Sequence, residues 1–198
     1  FFIFESLKVN PDYLMHLAVG TSFSIIIPTS LVSVFTHRKH ESVDINIIKS
    51  YGFFVIVGVS SGTLFAALLK TKALLIFFTI VVYFLGAYLL NFKDKTENLK
   101  TNFNLLPRII FGFISGFISA PMGIGGAVMN VPVLRYFGYP INKAIGSAAA
   151  IGFIIASFGA IGFLVTGSFM NVNLPLSIGF INIPAFLIFI PITMFMAR

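Results

Sequence analysis

Charge is scarce in this 198-residue sequence: Asp, Glu, Lys and Arg together make up 10% of it, against 58% hydrophobic residues. A soluble domain carries about 25% charge, because a wetted surface has to enclose its core. This chain lacks the residues to present such a surface. Cysteine is absent, so no disulfide framework exists and no redox compartment is indicated. Tryptophan is absent too, while phenylalanine reaches 25. All six acids, Glu5, Asp12, Glu41, Asp44, Asp94 and Glu97, lie outside the long apolar runs, and none follows Glu97. The runs therefore hold no carboxylate of the kind on which proton-coupled carriers commonly rely. The net charge of +7 does not point to nucleic acid, because Lys and Arg sit in ones and twos at the ends of the runs rather than along one face. Retention of basic loops in the cytoplasm accounts for them.

What the sequence does contain is a series of charge-free runs, at residues 17–36, 51–69, 73–91, 109–134, 144–166 and 174–197. At about 1.5 Å per residue, each is long enough to cross a hydrocarbon core of about 30 Å. A β-barrel would need segments of roughly ten residues alternating apolar and polar, which these are not. The expected fold is an all-α, polytopic transmembrane helix bundle, a single membrane domain over residues 1–198 with the lipid bilayer around it.

A short element recurs. Ala18-Val19-Gly20-Thr21-Ser22 opens the first run and Ala144-Ile145-Gly146-Ser147-Ala148 opens the fifth, 126 residues later. The same offset places two helices of similar length after each, which reads as a duplicated unit. Chance similarity among apolar helices rich in small residues is the alternative. The fourth run ends in Ala120-Pro121-Met122-Gly123-Ile124-Gly125-Gly126-Ala127-Val128-Met129-Asn130-Val131-Pro132-Val133-Leu134, and the Ala-Ile-Gly-Ser element begins ten residues on.

A Gly-x-Gly-Gly run, a Pro-x-Leu, a short loop and then Ala-x-Gly-Thr/Ser resembles the sulfite and organosulfonate exporters of the TauE/SafE type. The resemblance covers nearly the whole chain, with residues 1–92 as most of a first repeat and 106–198 as most of a second. It implies a multi-pass exporter of a small anion in a bacterial inner membrane. It also implies that the glycine-rich part of repeat one lies upstream of Phe1 and a final helix beyond Arg198, so that the sequence is a piece of a longer chain. Two departures stand out: the family's glycine run is often one longer where Ala127 stands here, and Ser147-Ala148 occupies the place of Thr21-Ser22.

Pro121 removes a backbone donor, and Gly123, Gly125 and Gly126 remove the side chains that hold helical geometry, so the fourth run is expected to break near its middle. Backbone freed at membrane depth has to be buried in protein or line a wet cavity. A helix restarting near Ala127 would turn its N–H groups and positive dipole end toward a solute, a site for anions without a charged side chain. Thr21, Ser22 and Ser147 are candidate hydroxyl donors to that site, and Asn130 a candidate amide. A packing role stands beside the binding role for each, since small residues bring transmembrane helices close and Ser or Thr hydroxyls bond a carbonyl one turn back. A dinucleotide fingerprint is excluded for the glycines, because it needs a preceding strand and an acid about twenty positions later.

No cofactor is expected. His37 and His40 flank Arg38 and Lys39 in a polar loop and have no convergent partners for a metal; His16 is the histidine nearest an apolar run. An intramembrane enzyme would need a nucleophile with its base, or a metal cluster, and the runs carry neither. A membrane scaffold without transport is the other rival, and it has little use for a Gly/Pro interruption. The solute, its coupling ion and the oligomeric state are not encoded in any motif.

Topology hangs on the fourth run. If it crosses once, Arg38, Lys39, Lys49, Lys93, Lys95, Lys100 and Arg108 face Lys8, Lys70, Lys72, Arg135, Lys143 and Arg198, seven against six. If it is a re-entrant pair of half-helices, Arg135, Lys143 and Arg198 join the first group and the split becomes ten to three, a clear positive-inside bias. Re-entry gives repeats of opposite orientation; a single kinked crossing of these 26 residues gives parallel ones.

Overall fold

The computed structural model describes residues 10–91, 104–170 and 174–197. A 3-10 turn at Pro11–Tyr13 leads into α1 (Leu14–Lys39), followed by α2 (Ile45–Leu68), α3 (Thr71–Asn91), α4 (Leu105–Met122), α5 (Ala127–Tyr136) and α6 (Ile141–Phe169). A two-stranded antiparallel hairpin, β1 (Ser177–Ile178) and β2 (Ile181–Asn182), precedes α7 (Ile183–Met196). Five of these helices, α1 to α4 and α6, are long and apolar enough to span a bilayer. The chain is thus an all-α, multi-pass membrane protein.

Helix directions follow from which residues touch. Gly58 and Gly62 of α2 abut the backbone of Phe113 and Phe117, while Gly112 and Gly116 of α4 abut Tyr51 and Val55, so α2 and α4 run parallel at backbone distance. In α1 and α6, Gly20 meets Phe163, Phe23 meets Gly159, and beyond the far end of α1 Ser42 meets Gly146. These two run antiparallel. The core between them and α2 contains Leu17, Phe23, Tyr51, Val55, Ile151, Ile155 and Phe163, all fully buried.

The fourth run breaks as expected, and α5 then turns back along α4. Phe137, just past α5, sets its ring 5.7 Å from that of Phe111 near the start of α4. Ser115 and Asn130 meet at 2.8 Å halfway along. The pair therefore enters and leaves at one end of the bundle. Arg38, Lys39, Lys49, Arg108, Arg135 and Lys143 gather at that end, whereas Lys70 and Lys72 lie at the other, with Lys70 3.5 Å from Asp12. Lys8, Lys93, Lys95, Lys100 and Arg198 lie outside the described residues.

Two contacts answer each other across the molecule. The Asn182 N–H donates to Thr21 Oγ1 at 2.9 Å, and the Asp44 N–H donates to Ser147 Oγ at 3.0 Å. Asn182 caps the start of α7 and Asp44 the start of α2. The glycine before each hydroxyl makes room for the carbonyl two residues before each cap: Gly20 for Phe180 and Gly146 for Ser42.

The run at 174–197 departs from the expectation of one uninterrupted span. Pro175 interrupts it, Leu176 and Gly179 take positive φ (53° and 56°), and the helix starts only at Ile183, with Pro184 in its first turn. The 126-residue offset fails there as well, since Thr21 and Ser147 are 126 apart whereas Asp44 and Asn182 are 138 apart. α3 sits at the margin, with only Thr71 and Leu74 buried among the described residues.

Single cysteines replacing Glu41, Tyr139 and Ser168 in this cysteine-free background test the helix directions. Only the Ser168 position is expected to react with a reagent applied outside intact cells; labelling at Tyr139 would mean that the fourth run crosses. Gly20→Ala and Gly146→Ala should each lower thermal stability by about 1–3 kcal/mol, because the added carbon has a carbonyl in its place. Gly86→Ala, with nothing within 4 Å of the new carbon, should not lower stability and should raise it by up to about 1 kcal/mol.

Candidate functional site

Gly123 ends α4 in the left-handed region (φ 66°), its N–H turned back to Ser119 O at 3.1 Å. Gly126 opens α5 at φ 71°, and its carbonyl accepts the Asn130 N–H at 2.9 Å. A side chain at Gly126 would be strained by that backbone and would collide with Ile155 of α6. The Gly125 carbonyl presses on Gly152, a position with no side chain to obstruct it. Gly152 and Ile155 are the twelfth and fifteenth of the 29 residues of α6, so the break sits about halfway along that helix.

Between the two helix ends, the N–H groups of Ile124, Gly125, Gly126, Ala127 and Val128 have no acceptor among the described residues. They lie in sequence at the positive end of α5, while Arg135 in its last turn complements the negative end. Ala127 and Val128 are exposed, Ile124 and Gly125 half-buried and Gly126 buried.

Ser22 joins the break directly, its hydroxyl donating to Gly123 O at 2.9 Å. Thr21 and Ser22 also line a cavity of about 300 Å³ with Ala18, Ile25, Ile26 and Phe189. Ile26 touches Gly125, so the cavity abuts the break. Ser147 does not converge there; it is fully buried toward the basic end, where it holds Asp44.

Asn130 is fully buried one turn past the glycines, and its amide is engaged within the protein. Its Nδ2 donates to Gly126 O at 2.8 Å, while its Oδ1 accepts from Tyr51 Oη and Ser115 Oγ, each at 2.8 Å. It thus ties the start of α5 to α2 and α4. Tyr51, Ser115 and Gly152 were not singled out from the sequence. A signal existed for Ser115, because Gly112, Ser115, Gly116 and Ser119 recur at helical spacing and mark a close-packing face. Tyr51 was the one phenol of an otherwise hydroxyl-poor stretch of its run.

His16 is fully buried, with Nε2 2.9 Å from Ala66 O and its ring 5.0 Å from that of Phe180. His37 and His40 line a separate cavity at the basic end with Ser42 and Asn142. Among the described residues no group of three His, Cys, Asp or Glu is placed to hold a metal.

A re-entrant pair of half-helices, broken by glycines between long apolar helices, defines a class: integral, multi-pass membrane transport proteins. The sulfite exporter TauE/SafE family profile matches residues 2–198, and the chain belongs to that family. It is 29% identical over 187 residues to a protein of Haemophilus influenzae named "probable membrane transporter protein", covering 94% of this chain and 70% of that one. It is 28% identical over 199 residues to a protein of the same description from Methanocaldococcus jannaschii, covering 94% and 68%. A Bacillus subtilis relative, also so described, is 25% identical over 160 residues, covering 77% and 65%. No solved structure matches the chain.

Asn130→Ala should lower the thermal stability of the purified protein by about 1–3 kcal/mol, because it strands buried donors. Tyr51→Phe should cost less, about 0.6 kcal/mol, in line with hydrogen bonds between transmembrane helices. Lost transport with an unchanged melting temperature would instead make Asn130 a solute ligand.

Proposed function

We propose that this chain is a carrier of a small anion such as sulfite or an organosulfonate, with the 123–128 break as its binding site. The observation that carries the reading is the row of five backbone N–H groups without acceptors among the described residues, set at the positive end of α5 and level with the middle of α6. Donors of this kind hold an oxyanion without placing a buried cation in the membrane. The described acids, Asp12, Glu41 and Asp44, all lie outside the spans, so no negative charge opposes an anion there. Thr21 and Ser22 supply the adjoining cavity wall. Asn130 and Ser147 belong to the supporting structure in this reading, since their polar atoms hold other parts of the chain.

The antiparallel course of α1 and α6, together with the two answering contacts, supports repeats of opposite orientation around that site. The gathering of six described basic residues at one end against two at the other supports placing the basic end in the cytoplasm of a bacterial inner membrane.

The test is solute flux in proteoliposomes made from the full-length protein. Sulfite or a small sulfonate is expected to be carried, and Gly125→Leu with Gly126→Leu to slow it by about tenfold or more while insertion persists. That magnitude follows from a charge-assisted hydrogen bond contributing roughly 1.5–3 kcal/mol. An inserted double variant with the parental rate would refute the site. Stronger thermal stabilisation by a metal cation than by sulfite or sulfonates would refute the anion.

A further inference from the structure

At the basic end, between the first turns of α2 and α4, lies a cavity of about 380 Å³ lined by Asn46, Ile47, Lys49, Ser50, Arg108 and Tyr139. Its polar wall is made of donors suited to a phosphate: an ammonium, a guanidinium and a phenol. Among the described residues no carboxylate lines it. Asp44 spends Oδ1 on the N–H groups of Asn46 and Ile47 at 2.9 and 3.4 Å, capping α2. Arg135 reaches the rim, its Nη1 donating to Tyr139 O at 3.3 Å. Burial and the charge of Asp44 raise the Tyr139 pKa above the usual phenol value, with Arg108 partly opposing.

What lies below the cavity identifies the ligand further. Along α2, Lys49 is followed at helical spacing by Phe53 and Val57, which are 63% and 44% exposed. The cavity thus opens at the head of an apolar strip that faces the bilayer. A soluble anion has no use for that strip, whereas an acyl chain covers it. We propose that this cavity binds the phosphate headgroup of an anionic phospholipid from the cytoplasmic leaflet, with its acyl chain along Phe53 and Val57. The site is separate from the glycine break.

The test uses the purified full-length protein in vesicles of phosphatidylcholine alone or with phosphatidylglycerol or cardiolipin, reading bound lipid by native mass spectrometry. The parent is expected to retain the anionic lipids over phosphatidylcholine, and Lys49→Gln with Arg108→Gln to weaken that preference about tenfold, two basic residues at a membrane surface each contributing several-fold. Lys49→Gln alone, at an exposed position, should lower it several-fold without touching the packing, and Lys72→Gln at the other end should change nothing. A preference that survives in both Lys49 variants would overturn the site. Inorganic phosphate binding as tightly as the lipids, lost in the same variants, would overturn the lipid assignment in favour of a free-anion site.

Discussion

A backbone group at membrane depth has no water to lean on, and the arrangement of this bundle follows from that constraint at one place. Where the fourth run gives up its helical ladder, the neighbouring helices take over parts of the unpaired chain. Ser22 from α1 caps the Gly123 carbonyl, Gly152 of α6 admits the Gly125 carbonyl, and Asn130 reaches back to the carbonyl of Gly126. The carbonyls of Gly123 and Gly126 thereby gain donors and that of Gly125 gains room, while a run of N–H groups has no acceptor among the described residues. It is on this row of N–H groups, at the start of α5, that the proposed anion site rests.

The packing that holds the break in place depends on absent side chains. α2 and α4 touch backbone to backbone through Gly58, Gly62, Gly112 and Gly116, which brings Tyr51 and Ser115 within reach of one amide. A larger residue at any of those glycines would part the helices and separate the three-way contact at Asn130. Close approach and polar satisfaction are therefore one requirement here, and they fix how far α5 stands from its neighbours.

Much of this could be read from residue order. Apolar runs free of charge gave the helices, and a proline with three glycines placed the break within a few residues, because chain conformation there is decided locally. The distribution of Lys and Arg favoured re-entry, which the course of α4 and α5 bears out. The hairpin before α7 was not legible: residues 174–182 are as apolar as a span, and what turns them is the positive φ at Leu176 and Gly179. The fates of Asn130 and Ser147 were hidden for a different reason. Their partners, Tyr51 and Asp44, lie 79 and 103 residues away, and no local pattern says whether a polar group will find such a partner or stay open to a ligand.

α3 offers a contrast with the rest. It is the most apolar of the five long helices, and almost none of its surface is shared with its neighbours among the described residues. Such a helix is held by the membrane more than by the protein. Exchange of one apolar residue for another along α3 would therefore disturb the packing of the described bundle less than a change at the glycines between α2 and α4.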